Sequence, residues 1–474
     1  MLFNSYTFLF LVLITFVLYY MPKLKNLQLY ILILSSFIFY SYASPILLLL
    51  LIFSGSINAI SSYIIYHHKE VKVQKSAATV GVILNILILV SFKYNGMLGG
   101  FMTDELGAKN DLVDLFVLLP LPIGISFYTF QGISLLVDVF RQSRGDKEPW
   151  HIEIPKSFVE HYRDTLFFIS FFPQLVAGPI VKAHDFLPQI GTKYLKDIDW
   201  EYSFRILVLG YFLKMVVADN LQNQTFWMAF YDIQSTLTLF VMMFGYSVQI
   251  FADFAGYSLI AIGVASLYGY RLPQNFNFPY LSSSFSEFWK RWHMTLGLWL
   301  KEYLYIPLGG NRKGELRNYL NLMVVMVLGG LWHGASVNYL LWGAFHGFLL
   351  VGERIFSHFI VLPNHWAVKV VQILVVFSLV TFGWLFFQLD MQGFVGLMHA
   401  LVHNTTVNHN MGILVMIFFY TLPVILYYMN YLLYDRVEWY TRGISKIMPM
   451  VYGLLLFAII FQSGSANAFI YFQF

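Results

Sequence analysis

The stretch VLGGLWHGAS, residues 327–336, ends an uncharged apolar run on a histidine, His333, with Gly329, Gly330 and Gly334 around it. Apolar surroundings favour the neutral imidazole, and a neutral imidazole can take a proton near neutral pH. His333 is therefore a candidate general base; a packing histidine at a helix contact is the alternative. The glycines remove side chains beside it, which makes room for another backbone or for a ligand. His346 follows in LLWGAFHG, between Gly343 and Gly347. It is either a partner of His333 or, as we expect, a hydrogen-bond donor between helices. Asp253, in QIFADFAGYSLIAIG, is an acid within a long apolar run. Such a residue is either paired structurally or part of a polar tunnel.

A second group of candidates is basic. In FSEFWKRWHMTLGLWLKEYLYIPLGG, residues 285–310, Phe285, Phe288, Trp292, Leu296, Trp299 and Tyr303 recur at steps of three or four. At about 100° per residue they form one narrow apolar stripe, with Lys290 and Lys301 opposite and His293 at its edge. The pattern predicts a helix lying at a membrane interface. It is either a surface anchor or a lid over a cytoplasmic entrance. In a lid, Lys290, Arg291, Lys301 and Arg312 would hold the phosphates of a large anionic donor. The terminal AFIYFQF reads as an interfacial aromatic belt, or as a means of presenting the Tyr471 hydroxyl at the external face.

Other chemistries are excluded. The sequence holds no cysteine, so thiolate nucleophiles, disulfides and cysteine-based zinc sites are absent. GGNRKG, residues 309–314, is followed by Glu315 and Leu316, where a phosphate-binding loop needs Lys and Ser or Thr. No other nucleotide, hydrolase or zinc-protease motif occurs, and no metal is expected. A net charge of +4 spread over short loops gives no reason to expect a nucleic-acid partner.

The elements that must position these residues follow from composition. Of 474 residues 58% are hydrophobic and only 11% charged, whereas soluble domains carry about 25% charged residues. Too little charge is present to cover a water-facing surface, so much of the surface faces lipid. An all-α polytopic membrane protein is expected, with about 11–12 transmembrane helices of about 20 residues each. Candidate spans lie near 2–20, 28–43, 46–66, 78–96, 113–137, 204–222, 236–266, 318–333, 337–355, 367–388, 411–432 and 450–472. Residues 164–180 are apolar but broken by Pro173, Gly178 and Pro179. They read as re-entrant, with irregular backbone buried in protein. Basic residues follow the first, third and fifth spans and precede the eighth, which puts those loops in the cytoplasm and the N-terminus outside. From Arg317 to His333 a continuous helix rises about 24 Å at about 1.5 Å per residue. That depth places His333 within the hydrocarbon core. No internal repeat or linker appears. One membrane domain is expected, with N-terminal helices over 1–140, a re-entrant and interfacial core over 141–335 and C-terminal helices over 336–474.

Several stretches together resemble the membrane-bound O-acyltransferase superfamily: LPIGISFYTFQGISLLVDVFR (121–141), FFPQLVAGPIVK (171–182), IFADFAGYSLIAIG (250–263), FWKRWHMTLGLWLKEYLYIPLGGNRKG (288–314), LGGLWHGAS (328–336) and FIYFQF (469–474). They are most similar to its bacterial branch of alginate and peptidoglycan O-acetylation membrane proteins. The resemblance implies a helical bundle enclosing a tunnel, with His333 catalytic and His293 a secondary, more variable polar position. It also implies an acyl relay at Tyr471. The expected activity moves an acyl group, acetyl from acetyl-CoA or another acyl thioester, across a bacterial plasma membrane for O-acetylation of a cell-envelope polysaccharide. No bound cofactor is expected. The expected partners are the bilayer, the donor and a separate extracytoplasmic O-acetyltransferase. The alternatives are a transporter or flippase of lipid-linked saccharides, D-alanyl transfer to teichoic acid, and a pure scaffold.

Overall fold

The computed structural model describes residues 1–42, 44–104, 117, 120–145, 151–176, 178–434, 436–465, 467, 469 and 470. Among the described residues all regular secondary structure is helical. Within a bilayer no water can satisfy backbone N–H and C=O groups, so a spanning segment must bond to itself. Among the described residues seven helices are long and apolar enough to cross a membrane: Pro22–Ser41, Pro45–His67, Val71–Lys93, Thr236–Leu267, Trp366–Gln388, Met411–Leu433 and Tyr440–Phe461. Other expected spans overlap helices that are shorter or more polar, among them Tyr6–Tyr20 and Glu315–His333; the start of the expected span 113–137 lies largely outside the described residues, and its second half overlaps Ile125–Ser143. Large apolar side chains such as Phe10, Leu49, Phe418 and Ile460 stand exposed along the outer faces. Their solvent is lipid, and the protein is a multi-pass membrane protein.

The described residues form two compact units. The first comprises Met1–Ser203, Ala261–Pro273 and Lys301–Tyr303. Its helices are α1 (Tyr6–Tyr20), α2 (Gln28–Ser41), α3 (Pro45–His67), α4 (Val71–Lys93), α5 (Ile125–Ser143) and α6 (Phe158–Ser170). Polar pairs join these helices where lipid supplies no hydrophobic drive to associate. Asn58 on α3 and Asn85 on α4 exchange amide hydrogen bonds of 3.2 and 2.9 Å, and Ser62 meets His161 of α6 at 2.8 Å. After α6 the helix breaks at Phe171 and resumes for one turn at Phe172–Leu175, all buried. This is the irregular buried backbone expected for 164–180. Tyr303 donates to both carboxylate oxygens of the buried Asp138, at 2.8 and 2.7 Å. Burial, and then this carboxylate, holds the Tyr303 phenol above its ordinary pKa. Lys182 pairs with Glu302 at 2.5 Å, so segment 301–303 is fastened by charge.

The second unit comprises Phe204–Ile260, Gln274–Leu300 and Leu304–Phe474. Helix α7 begins at Trp200–Tyr211, widens into a looser turn over Phe212–Ala218 and continues through Asp219–Thr225. Then follow α8 (Thr236–Leu267), α9 (Phe285–Arg291), α10 (Met294–Leu300), α11 (Glu315–His333), α12 (Val337–Phe359), α13 (Trp366–Gln388), α14 (Met411–Leu433) and α15 (Glu438–Phe461). Side-chain caps start several of these: Ser284 accepts from Glu287 N, Ser336 from Asn338 N, and Asn410 from Ile413 N.

Candidate active site

Helix α11 runs without interruption from Glu315 to His333. It ends there because Gly334 turns to extended backbone, its N–H bonding back to Leu331 O at 3.1 Å. Two residues later Ser336 caps α12, so the two helices form a tight hairpin. Their crossing depends on missing side chains. A β-carbon on Gly330 would lie 2.2 Å from Tyr339 O, and one on Gly343 would lie 2.4 Å from Met326 O. Of the two uses open to the glycines, these positions serve the approach of a neighbouring backbone.

The hairpin holds His333 at 4% exposure. Its ring lies 5.0 Å from Trp332, 5.1 Å from Trp342 and 5.1 Å from Phe387, the last two edge-to-face at 86° and 74°. Helices α11, α12 and α13 each give one wall. Trp332 also meets His293 at 6.2 Å, and Trp342 meets His346 at 4.9 Å. Three imidazoles therefore alternate with two indoles, in the order His293, Trp332, His333, Trp342, His346.

His346 is fully buried among Trp289, Trp342 and Phe345. Among the described residues neither of its ring nitrogens has a hydrogen-bond partner. The expected donor between helices is therefore not what the structure holds; aromatic packing fixes this ring instead.

The stretch 285–303 differs from its expected form in two ways. It is not one helix: α9 and α10 are separated at His293, which adopts φ +42°. A left-handed conformation is unfavourable for a residue with a β-carbon, and Asn275 stitches it in place. Asn275 O accepts from Met294 N at 2.9 Å, and Asn275 Oδ1 accepts from Thr295 Oγ1 at 2.6 Å and lies 3.3 Å from His293 Nδ1. Nor does the apolar stripe face lipid. Phe288, Trp292, Leu296 and Trp299 are buried in the protein, with Trp292 4.7 Å from Trp384 of α13. The stripe marks an apolar face, and protein rather than lipid covers it. Burial pushes the His293 imidazole down to about 3.

The basic candidates separate by environment. Lys290, Lys301 and Arg312 are exposed, Lys301 on the first unit and the other two on the second. Arg291 is engaged within the fold: it pairs with Glu287 at 2.8 Å and donates to Asn277 O at 3.1 Å. Asp253 lies 2.7 Å from Lys214 Nζ and accepts the Ile470 N–H at 2.7 Å. Of its two sequence readings, these contacts are those of structural pairing. Tyr471 lies outside the described residues. Among the described residues no group of three metal-ligating side chains occurs.

Sequence reasoning passed over Lys214, Asn275 and Trp342. Lys214 carried a signal, being a lone cation in the apolar LVLGYFLKMVVAD, residues 207–219. Asn275 carried none, because its role depends on a backbone angle at His293.

The membrane-bound O-acyltransferase family model matches residues 161–395, a range that holds His293, His333, His346 and Asp253. The peptidoglycan O-acetyltransferase of Helicobacter pylori is 35% identical over 376 residues, covering 75% of this chain and 70% of its own. The chain belongs to the membrane-bound O-acyltransferase family. The probable alginate O-acetylase AlgI of Pseudomonas aeruginosa is 34% identical over 408 residues, covering 82% and 72% of the two chains. The teichoic acid D-alanyltransferase of Bacillus subtilis is 28% identical over 281 residues, covering 56% and 68%. As a member of this family the protein is an acyltransferase, which sets aside the transporter and scaffold readings.

Proposed function

We propose that this membrane-bound O-acyltransferase takes an acetyl group from a cytoplasmic thioester, acetyl-CoA or another acyl thioester, and delivers it for O-acetylation of a cell-envelope polysaccharide. The observation that carries this reading is the setting of His333: an ionisable side chain, 4% exposed, at the end of a continuous helix and walled by three rings. His333 takes the proton of an acceptor hydroxyl as its oxygen attacks the thioester carbonyl carbon. The carbon–sulfur bond then breaks, and the departing thiolate receives the proton from the imidazolium, which restores the base. General-base action contributes about 10²–10⁴-fold. The surrounding rings exclude water, which protects the thioester from hydrolysis.

In this reading the protein sits in a bacterial plasma membrane with its N-terminus outside. Exposed Lys290 and Arg312 of the second unit meet the donor phosphates on the cytoplasmic side. Tyr471 relays the acyl group, and a separate extracytoplasmic transferase completes its transfer to the polymer. Acetyl is preferred to D-alanyl because the relative named for peptidoglycan O-acetylation matches at 35% identity over 75% of this chain, against 28% over 56% for the D-alanyltransferase.

The test is mass spectrometry of wall and capsule fractions from a deletion strain complemented with parent or His333→Ala protein. Parent restores the acetyl esters and His333→Ala does not, although it inserts normally. Full restoration by His333→Ala overturns the assignment, and loss of D-alanyl esters instead of acetyl esters overturns the choice of acyl group.

A further inference from the structure

The C-terminal segment returns into the second unit, and the residues that receive it are ionisable. Lys214, Asp219 and Asp253 are exposed by 1%, 1% and 4%. Their meeting follows from two backbone features. Helix α7 widens over Phe212–Ala218, and it crosses α8 closely at Gly256, where a β-carbon would lie 2.8 Å from Lys214 N. Lys214 Nζ consequently reaches Asp219 Oδ1 at 2.8 Å and Asp253 Oδ1 at 2.7 Å.

One ammonium is held between two carboxylates. Breaking a buried pair is costly because it leaves a charge uncompensated. Asp253 also makes a second contact. While Oδ1 faces Lys214, Oδ2 accepts the backbone N–H of Ile470 at 2.7 Å. A hydrogen bond from a neutral donor to a charged acceptor is among the stronger kinds.

The same region of α7 holds the segment at two earlier points. Asn220 Nδ2 donates to Gln462 O at 2.9 Å. Gly464 N donates at 2.9 Å to Met215 O, a carbonyl within the widened turn. Beyond these anchors Phe469 is fully buried, 4.4 Å from the Tyr257 ring and 5.5 Å from Phe254. Phe254 in turn lies 4.6 Å from His293. Lys214 Nζ also stands over the Tyr257 ring at 5.6 Å. The charged cluster and the buried end of the segment thus share one tyrosine.

We propose that Lys214, Asp219 and Asp253 form a charged seat that locks the C-terminal segment into the second unit, with Asp253 as the positioning residue that holds Ile470. The competing account is that the ions merely join α7 to α8, while the segment is kept in place by burial of Phe469 and Ile470.

Because the sequence holds no cysteine, one introduced thiol reports on its own site. Ile470 is buried and Ser465 is exposed, so Ile470→Cys and Ser465→Cys are compared by maleimide labelling of the full-length protein in vesicles. Local opening sets the labelling rate of a buried thiol. We expect Ile470→Cys to react at least about tenfold more slowly than Ser465→Cys, and Asp253→Ala to remove most of that protection. Asp253→Asn keeps an oxygen for the Ile470 N–H and restores most of it, which a nonspecific weakening of the fold would not do. Should Asp253→Ala fail to yield folded protein, Lys214→Met with Asp253→Leu keeps the net charge of the cluster while removing the ion pair and the acceptor for the Ile470 N–H. It also exposes Ile470→Cys to labelling. Undiminished protection in Asp253→Ala, or in that double variant, overturns the proposal. So does deprotection by Phe469→Ala alone, with Asp253→Ala silent.

Discussion

Asp253 and His333 lie in the same unit, each 4% exposed, and the protein surrounds them in different ways. Asp253 is met by an ammonium and a backbone N–H. His333 is met by the rings of Trp332, Trp342 and Phe387. A buried carboxylate beside an ammonium and a backbone N–H is engaged in holding its neighbours. The three ring walls of the imidazole carry no formal charge of their own. On the proposed function, the difference separates ionisable groups that hold the fold from one that moves a proton.

The largest effect that would break this comparison comes from the imidazole. His333→Ala lowers envelope O-acetylation by about 10²–10⁴-fold with membrane insertion unchanged, read by ester release from wall and capsule fractions. Unaltered acetylation would make the ring-walled histidine a packing residue. The next effect is on stability. Lys214→Met removes the cation that Asp219 and Asp253 both contact and costs about 3–5 kcal/mol, measured by denaturation in detergent. A cost near zero would remove the charged cluster from the structural side of the comparison.

Two smaller effects sharpen it. Gly343→Ala drives a β-carbon against Met326 O, 2.4 Å away in the unrelaxed backbone, and should cost about 1–3 kcal/mol by overpacking. It should also reduce acetylation, since the same crossing positions His333. Gly352→Ala on the same helix meets nothing within 4 Å and should leave both readouts unchanged. The smallest effect is a pH slope. His293 is held neutral with a pKa pushed down to about 3, against about 6.5 in an unfolded chain. Between these values the unfolded state binds the extra proton, so stability falls as pH drops below about 6.5. The loss is about 1 kcal/mol from pH 6.5 to 5.5, and His293→Gln removes that share of the slope. An equal slope in the variant would assign it elsewhere.

The legible parts of the sequence were those governed by local pattern. Apolar length located Pro45–His67, Trp366–Gln388 and Met411–Leu433, and the prolines and glycine of 164–180 announced buried irregular backbone. His333 was legible because an ionisable residue within a long apolar run is conspicuous. What was not legible depends on partners distant in the chain. The stripe through Phe288, Trp292 and Trp299 has the same period whether lipid or Trp384 covers it. Its break at His293 rests on Asn275, which no periodicity marks. Asp253 was equally readable as tunnel or pair until Lys214, on another helix, was brought beside it. His346 looked like a donor between helices because sequence gives its chemistry and not its neighbours, which are rings.

The most direct measurement is thioester consumption by purified protein in vesicles supplied with labelled acetyl-CoA and a hydroxyl acceptor. Parent, Gly352→Ala and His333→Ala proteins are compared at equal insertion. The account predicts acetyl transfer by the first two and transfer reduced to background by His333→Ala. Transfer by His333→Ala at the parent rate would contradict it.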